Sequence, residues 1–463
     1  MLRLRKMAAS ILSKIEELAK SRNVPCKAVL VGSAARNTWL SGDHDMDIFI
    51  AMPEDQDLGL ALEIARLVAP HHEEKYAEHA YVHATLDCFE IDLVPCYQVK
   101  DASRIKSAVD RTPFHNEYIT ARVRGLEDEV LLLKQFMKGI GVYGSELRVG
   151  GFSGYLVELL VISFGSFPGV LRSAENWRPN EVIFAPESSQ IWRDLFHEDP
   201  LVVIDPVDPK RNVAAALTLD RMFQFVAAAR CFLKQPSLDF FFPAAFLPLS
   251  DEEVLGHMER RKSALIVIEL PVPHLSEDIL FPQLRKAEHS IAALFELHGF
   301  DVLRSDALLS GGSGFREDDD RASGFLEAGP GSCQSAGSGD EGIARLLFEL
   351  EVWELSSVKR HPGPPVWEAE HVERFLSRHI ETISGPYIQG GRAVVEISRR
   401  YTEPRGLLER EMVKLALGKH IRQQVEKGYR IYLGQEILQI RDLEFRSFLA
   451  RYFLQHNHLK QLQ

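Results

Sequence analysis

The sequence predicts an α+β protein made of several domains, and three features carry this prediction. Its 463 residues exceed what one hydrophobic core usually serves, which suggests about three domains. Short apolar strands alternate with a helix between Ala28 and Val94, and a buried helix and a long amphipathic helix dominate from 154 to 240. A strand, a helix and a strand then follow from Ala264, as in an αβ sandwich.

The predicted architecture is a head with a mixed sheet and helices, a mainly helical central domain, an αβ sandwich body and a small α/β tail. A glycine-dense connector separates the head from the central domain. Residues 310–342 are rich in Gly, Ser and acids, and they carry too little apolar surface to offset the entropy of ordering. The predicted boundaries are head 1–140, central domain 141–255, body 256–309, 343–358 and about 430–463, flexible acidic insertion 310–342, and tail 359–429.

The composition excludes several classes of protein. Hydrophobic residues make up 45% and charged residues 26%, which is typical of a soluble globular protein. No apolar run reaches the roughly 18 residues that a membrane helix needs, so no membrane association is expected. The five cysteines form no CxxC pair, which argues against a zinc site and favours a reducing, cytoplasmic location.

The charge of the chain is unevenly distributed. A net charge of −12 argues mildly against nucleic acid as a partner. From Arg399 to the end, however, 13 Lys and Arg face seven Asp and Glu, so the C-terminal region can offer a basic surface to phosphates. The candidate contacts there are Lys414, Lys419 and Arg422, and a solvated helix face is the alternative interpretation.

The stretch VLVGSAARNTWLSGDHDMDIFIAM, residues 29–52, contains candidates for chemistry. Gly32 and Ser33 follow a strand and open a helix, which places backbone N–H groups and a hydroxyl where phosphates can bind. Asp45 and Asp47 lie two residues apart on the next strand, so both carboxylates project from one face about 7 Å apart. They repel each other unless a cation lies between them.

A third carboxylate, Asp92, lies in the strand FEIDLVPCY. Three acids can hold two divalent cations about 4 Å apart, which activate an attacking hydroxyl and stabilise a leaving pyrophosphate. A lone DxD also fits a solvated strand end or a helix cap. The Gly-Ser turn before it and the isolated strand Asp after it favour the nucleotidyltransferase head motif, in which GS is followed by DxD and a later D.

Seven segments together resemble the archaeal, class I CCA-adding enzymes, which are tRNA nucleotidyltransferases. The resemblance implies a polymerase β-like head, template-independent addition of CCA to tRNA lacking all or part of it, CTP and ATP as substrates, and two Mg²⁺ ions. The resemblance is also compatible with a homodimer. The segments are VGSAARNTWLSGDHDMDIFI, FEIDLVPCY, RTPFHNEYI, LLKQFMKGIGVYGSE, GGFSGYLVELL, DPVDPKRNVAAAL and GPPVWEAEHVERFL.

The resemblance assigns roles to individual residues. Catalysis and metal binding fall to Asp45, Asp47 and Asp92. Binding of ATP and CTP falls to Gly32, Ser33, Arg36, Thr112, His115, Lys138 and Tyr143. Base selection falls to Arg211, with Asp208 beside it. The basic C-terminal region, with Lys414, Lys419 and Arg422, is expected to bind the tRNA by shape and phosphate.

Structural roles remain open for several of these residues. His115 also fits a core histidine whose ring is hydrogen-bonded. Lys138 also fits a cation that balances the dipole at a helix C-terminus, and Arg211 also fits a tether for the helix that follows it. EDDDR, residues 317–321, matches the EDxxR motif of class II CCA-adding enzymes, but it lies in low-complexity sequence and is interpreted as chance.

Two other functions are compatible with the head motif. A poly(A)-type or oligoadenylate-type polymerase carries the same motif and differs in the length of its product. A non-catalytic RNA-binding protein with a degenerate head is disfavoured, because three mutually repelling carboxylates are all retained.

Overall fold

The computed structural model describes residues 2–42, 45–76, 78–87, 89–183, 189–273, 275–310 and 342–454. These residues form two compact units, which divide between Pro243 and Ala244. In this part of the chain no single helix is long and apolar enough to cross a membrane, and one pair of helices bent by 92° meets those criteria only when combined. The predicted insertion at 310–342 and the EDDDR match lie outside the described residues, except for Ser310 and Gly342.

The first unit begins with a five-stranded mixed sheet, which confirms the predicted head. The strand order is β1-β2-β5-β4-β3, with β2 and β5 parallel and the other pairs antiparallel. The elements are α1 (Leu2–Ser21), β1 (Lys27–Val31), α2 (Gly32–Arg36), β2 (Asp45–Pro53), α3 (Leu58–Val68), β3 (Glu73–Tyr76), β4 (Ala80–Leu86), β5 (Phe89–Gln98) and α4 (Thr112–Arg122).

At the start of β2, the alternation of side chains separates buried apolar residues from the two aspartates. Met46 and Ile48 are buried against α1 and α3, whereas Asp45 and Asp47 project to the other side of the strand. Apolar residues of α1 recur at helical spacing, so Ile11 and Ile15 reach the same core. Burial of one face of the sheet therefore fixes the direction of the carboxylates on the opposite face.

The remainder of the first unit is mainly helical. Its elements are α5 (Glu127–Gly139), α6 (Gly154–Phe164), α7 (Phe167–Ala174), β6 (Glu181–Ile183), α8 (Ser189–Leu195), β7 (Leu201–Val203) and α9 (Leu219–Lys234), with β6 and β7 paired in parallel. Ser153 caps α6 by accepting a hydrogen bond from the N–H of Leu156, and Gly165 ends the helix with φ +76°.

Helix α5, which the predicted boundary at 140 includes in the head, contributes its apolar side chains to the core of the helical part of the unit. Phe136 of α5 is buried among Phe167, Phe225 and Phe240, and the four belong to one core. The apolar face of α5 predicts burial, but its periodicity carries no information on which neighbour covers it.

The second unit contains a four-stranded antiparallel sheet covered on both faces, which is the predicted αβ sandwich. Its strand order is β14-β8-β10-β9. The elements of the unit are α10 (Asp251–Arg261), β8 (Ala264–Val272), α11 (Glu277–His298), β9 (Val302–Ser310), β10 (Gly342–Leu350), β11 (Val358–Pro365), α12 (Ala369–Arg378), β12 (Ser384–Gln389), β13 (Arg392–Ser398), α13 (Pro404–Glu411), α14 (Lys419–Lys427), β14 (Arg430–Leu433) and α15 (Leu443–Leu454).

Both faces of β8 are apolar because each faces a separate core. Ile266 and Ile268 pack against α11, α13 and α14, whereas Leu265 and Val267 pack against α10 and α15. Ser310 and Ile343 are partners in the antiparallel pair of β9 and β10, so the predicted insertion joins two neighbouring strands.

Two segments of the second unit lie across the predicted domain boundaries. Residues 244–255, predicted in the central domain, pack with the second unit through Leu249 and Val254. Helices α13 and α14, predicted in the tail, cover the body sheet through buried residues such as Leu407 and Ile421. The separate small sheet consists of β11, β13 and β12, in that order.

Candidate active site

Three aspartates meet on adjacent strands of the head. Asp47 of β2 and Asp92 of β5 are register partners in the parallel pair, and Asp45 lies two residues before Asp47 on the same face. Neighbouring strands are about 4.8 Å apart, so the backbone alone brings these side chains close together. The DxD of one strand and the later Asp of another are therefore parts of one site.

Charge repulsion and burial act on the central aspartate. The pKa of Asp47 is raised to about 6, first by burial and then by the charges of Asp92 and Asp45, while Arg36 acts in the opposite direction. A cation placed beside these carboxylates would remove that repulsion. Within the described residues, however, no three His, Cys, Asp or Glu side chains are already arranged as the ligands of one metal ion.

Asp92 has a histidine partner on the neighbouring strand. Nδ1 of His83 in β4 lies 2.7 Å from Oδ1 of Asp92, and the two residues are register partners. The hydrogen bond to Asp92 raises the pKa of His83. This contact occupies one carboxylate oxygen and leaves Oδ2 as the other potential ligand atom.

The Gly-Ser turn lies directly against Asp47. Gly32 has φ +73°, and a Cβ at this position would lie 2.6 Å from Oδ2 of Asp47. Only glycine combines this left-handed backbone with the close approach to a carboxylate. Helix α2 follows immediately and contains Ser33 and Arg36.

Arg36 is held by side chains of α4 and α6. Its Nε and Nη2 donate to the two oxygens of Glu158 at 3.0 and 2.9 Å, and its Nη1 donates to Oδ1 of Asn116 at 2.8 Å. Thr38 also donates to Glu158, at 2.6 Å, and the Glu158 side chain is completely buried. Three of the five guanidinium N–H donors are thus engaged within the protein.

Lys134 of α5 is a buried cation at this site that the sequence interpretation missed. Its side chain is 2% exposed, and its Nζ donates to the backbone carbonyl of Thr38 at 2.8 Å. A Cβ on Gly154, at the start of α6, would lie 3.2 Å from the hydroxyl of Tyr143 and 3.6 Å from Nζ of Lys134. The predicted lysine, Lys138, lies one turn further along α5 and is half-buried.

A second polar cluster joins the start of α4 to the loop between β7 and α9. Thr112 begins α4, and Nε2 of His115 in the same helix lies 2.8 Å from Oδ2 of Asp205, which also accepts from Nη1 of Arg211 at 2.9 Å. Nη2 of Arg111, the residue before α4, lies 3.1 Å from Oδ2 of Asp208. His115 and Arg211, 96 positions apart by residue number, therefore share one carboxylate.

Three family models match successive parts of the chain. Residues 12–115 match a nucleotidyltransferase domain, residues 128–242 match the second domain of tRNA nucleotidyltransferases, and residues 261–314 and 331–434 match the C-terminal domain of CCA-adding enzymes.

Curated relatives match over almost the full length. The CCA-adding enzyme of Methanosarcina barkeri is 43% identical over 451 residues, which cover 95% of this chain and 92% of that enzyme. The CCA-adding enzyme of Methanothermobacter thermautotrophicus is 40% identical and covers 96% of this chain and 93% of that enzyme. The chain belongs to the CCA-adding enzymes.

Solved structures resemble this CCA-adding family member at a lower level. The Cid1 poly(U) polymerase with Mg 3′-dATP has a TM-score of 0.41 and 18% identity, over 52% of this chain and 93% of that chain. CdnC from E. coli MS115-1 with ATP has a TM-score of 0.38 and 19% identity, over 52% of this chain and 88% of that chain.

The three basic residues predicted to bind tRNA in this family member lie in the second unit. Lys414 pairs with Glu411 at 2.9 Å, although its side chain is 63% exposed. Lys419 is exposed at the first position of α14. Arg422 is half-buried, and its guanidinium donates to the carbonyls of Val413 at 3.3 Å and Leu415 at 2.6 Å.

Proposed function

We propose that this chain adds the nucleotides C, C and A to the 3′ end of tRNA that lacks all or part of this sequence. CTP and ATP donate the nucleotides, pyrophosphate leaves, and no nucleic-acid template is used. The register of Asp47 with Asp92, beside the Gly32 turn, is the observation that carries the proposal. Membership of the CCA-adding family supplies the substrate class.

The three aspartates have the donor chemistry that divalent cations require. Carboxylate oxygens are the preferred ligands of Mg²⁺, and the mutual repulsion that raises the pKa of Asp47 is relieved when a cation is present. We infer that Asp45, Asp47 and Asp92 hold two Mg²⁺ ions. When bound, the ions would favour ionisation of the tRNA 3′-hydroxyl and neutralise charge on the phosphates.

The turn and the neighbouring helices position the triphosphate in this proposal. The Gly32 backbone and the Ser33 hydroxyl supply uncharged donors, whereas Arg36 and Lys138 supply positive charge. Arg36 reaches the nucleotide with the donors that Glu158 and Asn116 leave available. Thr112, His115 and Tyr143 complete the predicted contacts to the nucleotide.

Base selection follows from hydrogen-bond chemistry at one ring nitrogen. Cytosine N3 and adenine N1 are acceptors, whereas uracil N3 and guanine N1 carry a hydrogen. A guanidinium N–H of Arg211 directed at this edge would therefore favour C and A over U and G. Asp208, which pairs with Arg111, would hold the same loop in place.

The product of one incubation tests the proposal. Purified protein with Mg²⁺ is given tRNA transcripts that end before CCA, after C and after CC, with each labelled nucleotide supplied separately. Addition of two C and then one A, with no further extension, is the expected pattern on a denaturing gel. Long A-tails would identify a poly(A)-type polymerase, and no incorporation would refute a catalytic role for the aspartates.

Two variants assign the chemistry to this site. Asp47→Ala is expected to abolish incorporation while tRNA affinity stays close to that of the wild type. Asp57→Asn removes another head carboxylate, one that caps α3 by accepting from the N–H of Gly59 at 2.9 Å, and serves as the control for lost charge. Retained turnover in Asp47→Ala would rule out the metal role.

A further inference from the structure

Asp205 is a fully buried carboxylate with four hydrogen bonds. Its Oδ2 contacts His115 at 2.8 Å and Arg211 at 2.9 Å, while its Oδ1 accepts from the Tyr155 hydroxyl at 3.1 Å and the N–H of Val207 at 3.0 Å. The Asp205 side chain is 0% exposed. The four partners approach from different directions, so the plane of the carboxylate is fixed.

The loop that carries Asp205 and Arg211 is also fixed through its backbone. The N–H of Asp205 donates to the carbonyl of Arg211 at 3.0 Å, and Ile204 pairs with Asn212 as an antiparallel bridge. The Asn212 side chain is buried, accepts from the N–H of Val203 at 2.8 Å, and donates to Asp199 Oδ2 at 2.8 Å. Asp205 and Arg211 therefore stand opposite each other at the base of a closed loop.

The Arg211 side chain is anchored at one nitrogen and is partly exposed. Nη1 contacts Asp205, while 40% of the side chain remains exposed. Because a guanidinium is planar, a bond at Nη1 restricts the orientation of the whole group. An unanchored arginine could rotate and place its donors opposite several base edges, so its discrimination between them would be weaker.

His115 shares the same carboxylate oxygen and stacks on Tyr155 with ring centroids 4.2 Å apart. Hydrogen bonding to His115, Val207 and Arg211 holds the pKa of Asp205 at about 2 despite its burial, so the carboxylate stays ionised near neutral pH. One negative charge thus orients two residues with predicted contacts to the incoming nucleotide.

We propose that Asp205 is a positioning residue for base selection, because its Oδ2 fixes the guanidinium of Arg211 relative to the imidazole of His115. The inference rests on the proposed function, and specifically on Arg211 as the residue that contacts the base. Asp205 itself touches neither the nucleotide nor the reacting atoms. Its effect is to make the contact of Arg211 with the base selective.

The test compares selection in single and double variants of the full-length protein. The ratio of kcat/KM for CTP to that for UTP is measured on tRNA ending before CCA, and the ATP to GTP ratio on tRNA ending in CC. Asp205→Asn retains the shape of the side chain but presents at most one acceptor oxygen to its four donors. We expect both ratios to fall about tenfold or more, as for the loss of a hydrogen bond to a charged group, with unchanged tRNA affinity.

Non-additivity separates positioning from a general structural effect. If Asp205 acts through Arg211, the double variant Asp205→Asn/Arg211→Ala loses no more selection than Arg211→Ala alone. Asp199→Asn is the matched control, since it removes a carboxylate that contacts the same loop through Asn212 but is not bonded to Arg211. It is expected to keep wild-type ratios.

The outcomes distinguish the inference from the function on which it rests. Wild-type ratios in Asp205→Asn, together with reduced ratios in Arg211→Ala, would overturn the positioning role alone. Wild-type ratios in Arg211→Ala would overturn the base-contact role and the inference with it. If Asp205→Asn does not fold, Asp205→Ser replaces it, because one hydroxyl cannot hold both His115 and Arg211. Unchanged ratios in Asp205→Ser would also overturn the inference.

Discussion

Gly32 and Asp47 approach each other so closely that a Cβ on the glycine would lie 2.6 Å from Oδ2 of the aspartate. Real Cβ atoms do not tolerate this distance, so a side chain at 32 must move either the turn or the carboxylate. The Gly-Ser turn and the central acid are therefore coupled by contact, although the motif separates them by 14 intervening residues.

Replacing Gly32 with alanine should inactivate the site. Gly32→Ala adds both the strain of a left-handed backbone, about 1 kcal/mol, and the displacement of Asp47. A shift of about 1 Å in a reacting group lowers a rate by about a hundredfold, which is the expected change in kcat. Gly42→Ala is the control, because Gly42 has φ +99° but no atom within 4 Å of the added Cβ. Equal loss of activity in both variants would contradict this account.

Removing the charge of Asp47 should stabilise the metal-free protein. Burial and two neighbouring acids raise the pKa of Asp47 to about 6, so folding disfavours its ionised form at pH 7. In EDTA, Asp47→Asn should increase the free energy of unfolding by about 3 kcal/mol at pH 7, because the pKa is raised by about two units from 3.8. Below pH 6 the wild-type carboxyl is mostly protonated in the folded state, so the gain should shrink. Urea denaturation at pH 7 and pH 5 measures this, and a less stable variant at pH 7 would refute it.

The partner of Asp92 should set metal affinity. His83 lies 2.7 Å from Oδ1 of Asp92, and outer partners of metal ligands typically contribute 10- to 100-fold in affinity. His83→Leu should raise the Mg²⁺ concentration for half-maximal activity by about tenfold or more. His83→Asn places an amide nitrogen near the position of Nδ1 and should restore part of the affinity. Identical Mg²⁺ curves for wild type and His83→Leu would exclude this role.

The sequence predicts the head carboxylates well because local rules decide them. A strand has a side-chain period of two, so an apolar stretch that contains DxD places both acids on one face whatever surrounds it. The pairing of β2 with β5 is not local, and the sequence pattern did not predict that these two strands are neighbours. The order in which the strands assemble could not be derived from either segment alone.

Lys134 and Asp205 escaped prediction because their surroundings are assembled from distant segments. Lys134 lies on an amphipathic helix four residues before the predicted Lys138, and only the fold shows which lysine turns inward. The proposed role of Asp205 depends on His115 of α4 and on Arg211 of its own loop, which both contact its Oδ2. The same reason explains why α13 and α14 were predicted in the tail although they cover the body sheet. Amphipathic patterns predict burial but not the sheet that is covered.

Glu158 should be a large contributor to the stability of the first unit. Its buried carboxylate accepts two hydrogen bonds from Arg36 and one from Thr38. Glu158→Gln leaves the buried Arg36 without its counter-ion, and the expected loss is about 3 kcal/mol in the free energy of unfolding. Thr38→Val removes only the hydroxyl donor and should cost about 1 kcal/mol. Similar losses in the two variants would show that the ion pair adds nothing beyond a neutral hydrogen bond.

Charge reversal in α14 should separate tRNA binding from folding. Lys419 is exposed, so Lys419→Glu should leave Tm unchanged. The log of the association constant for tRNA should fall less steeply with log salt, with the magnitude of the slope reduced by about one. Arg422 donates to the carbonyls of Val413 and Leu415, so Arg422→Glu should lower Tm whether or not tRNA is present. Binding titrations at several salt concentrations, with thermal unfolding of each variant, measure both effects. An unchanged slope in Lys419→Glu would remove this residue from the tRNA interface.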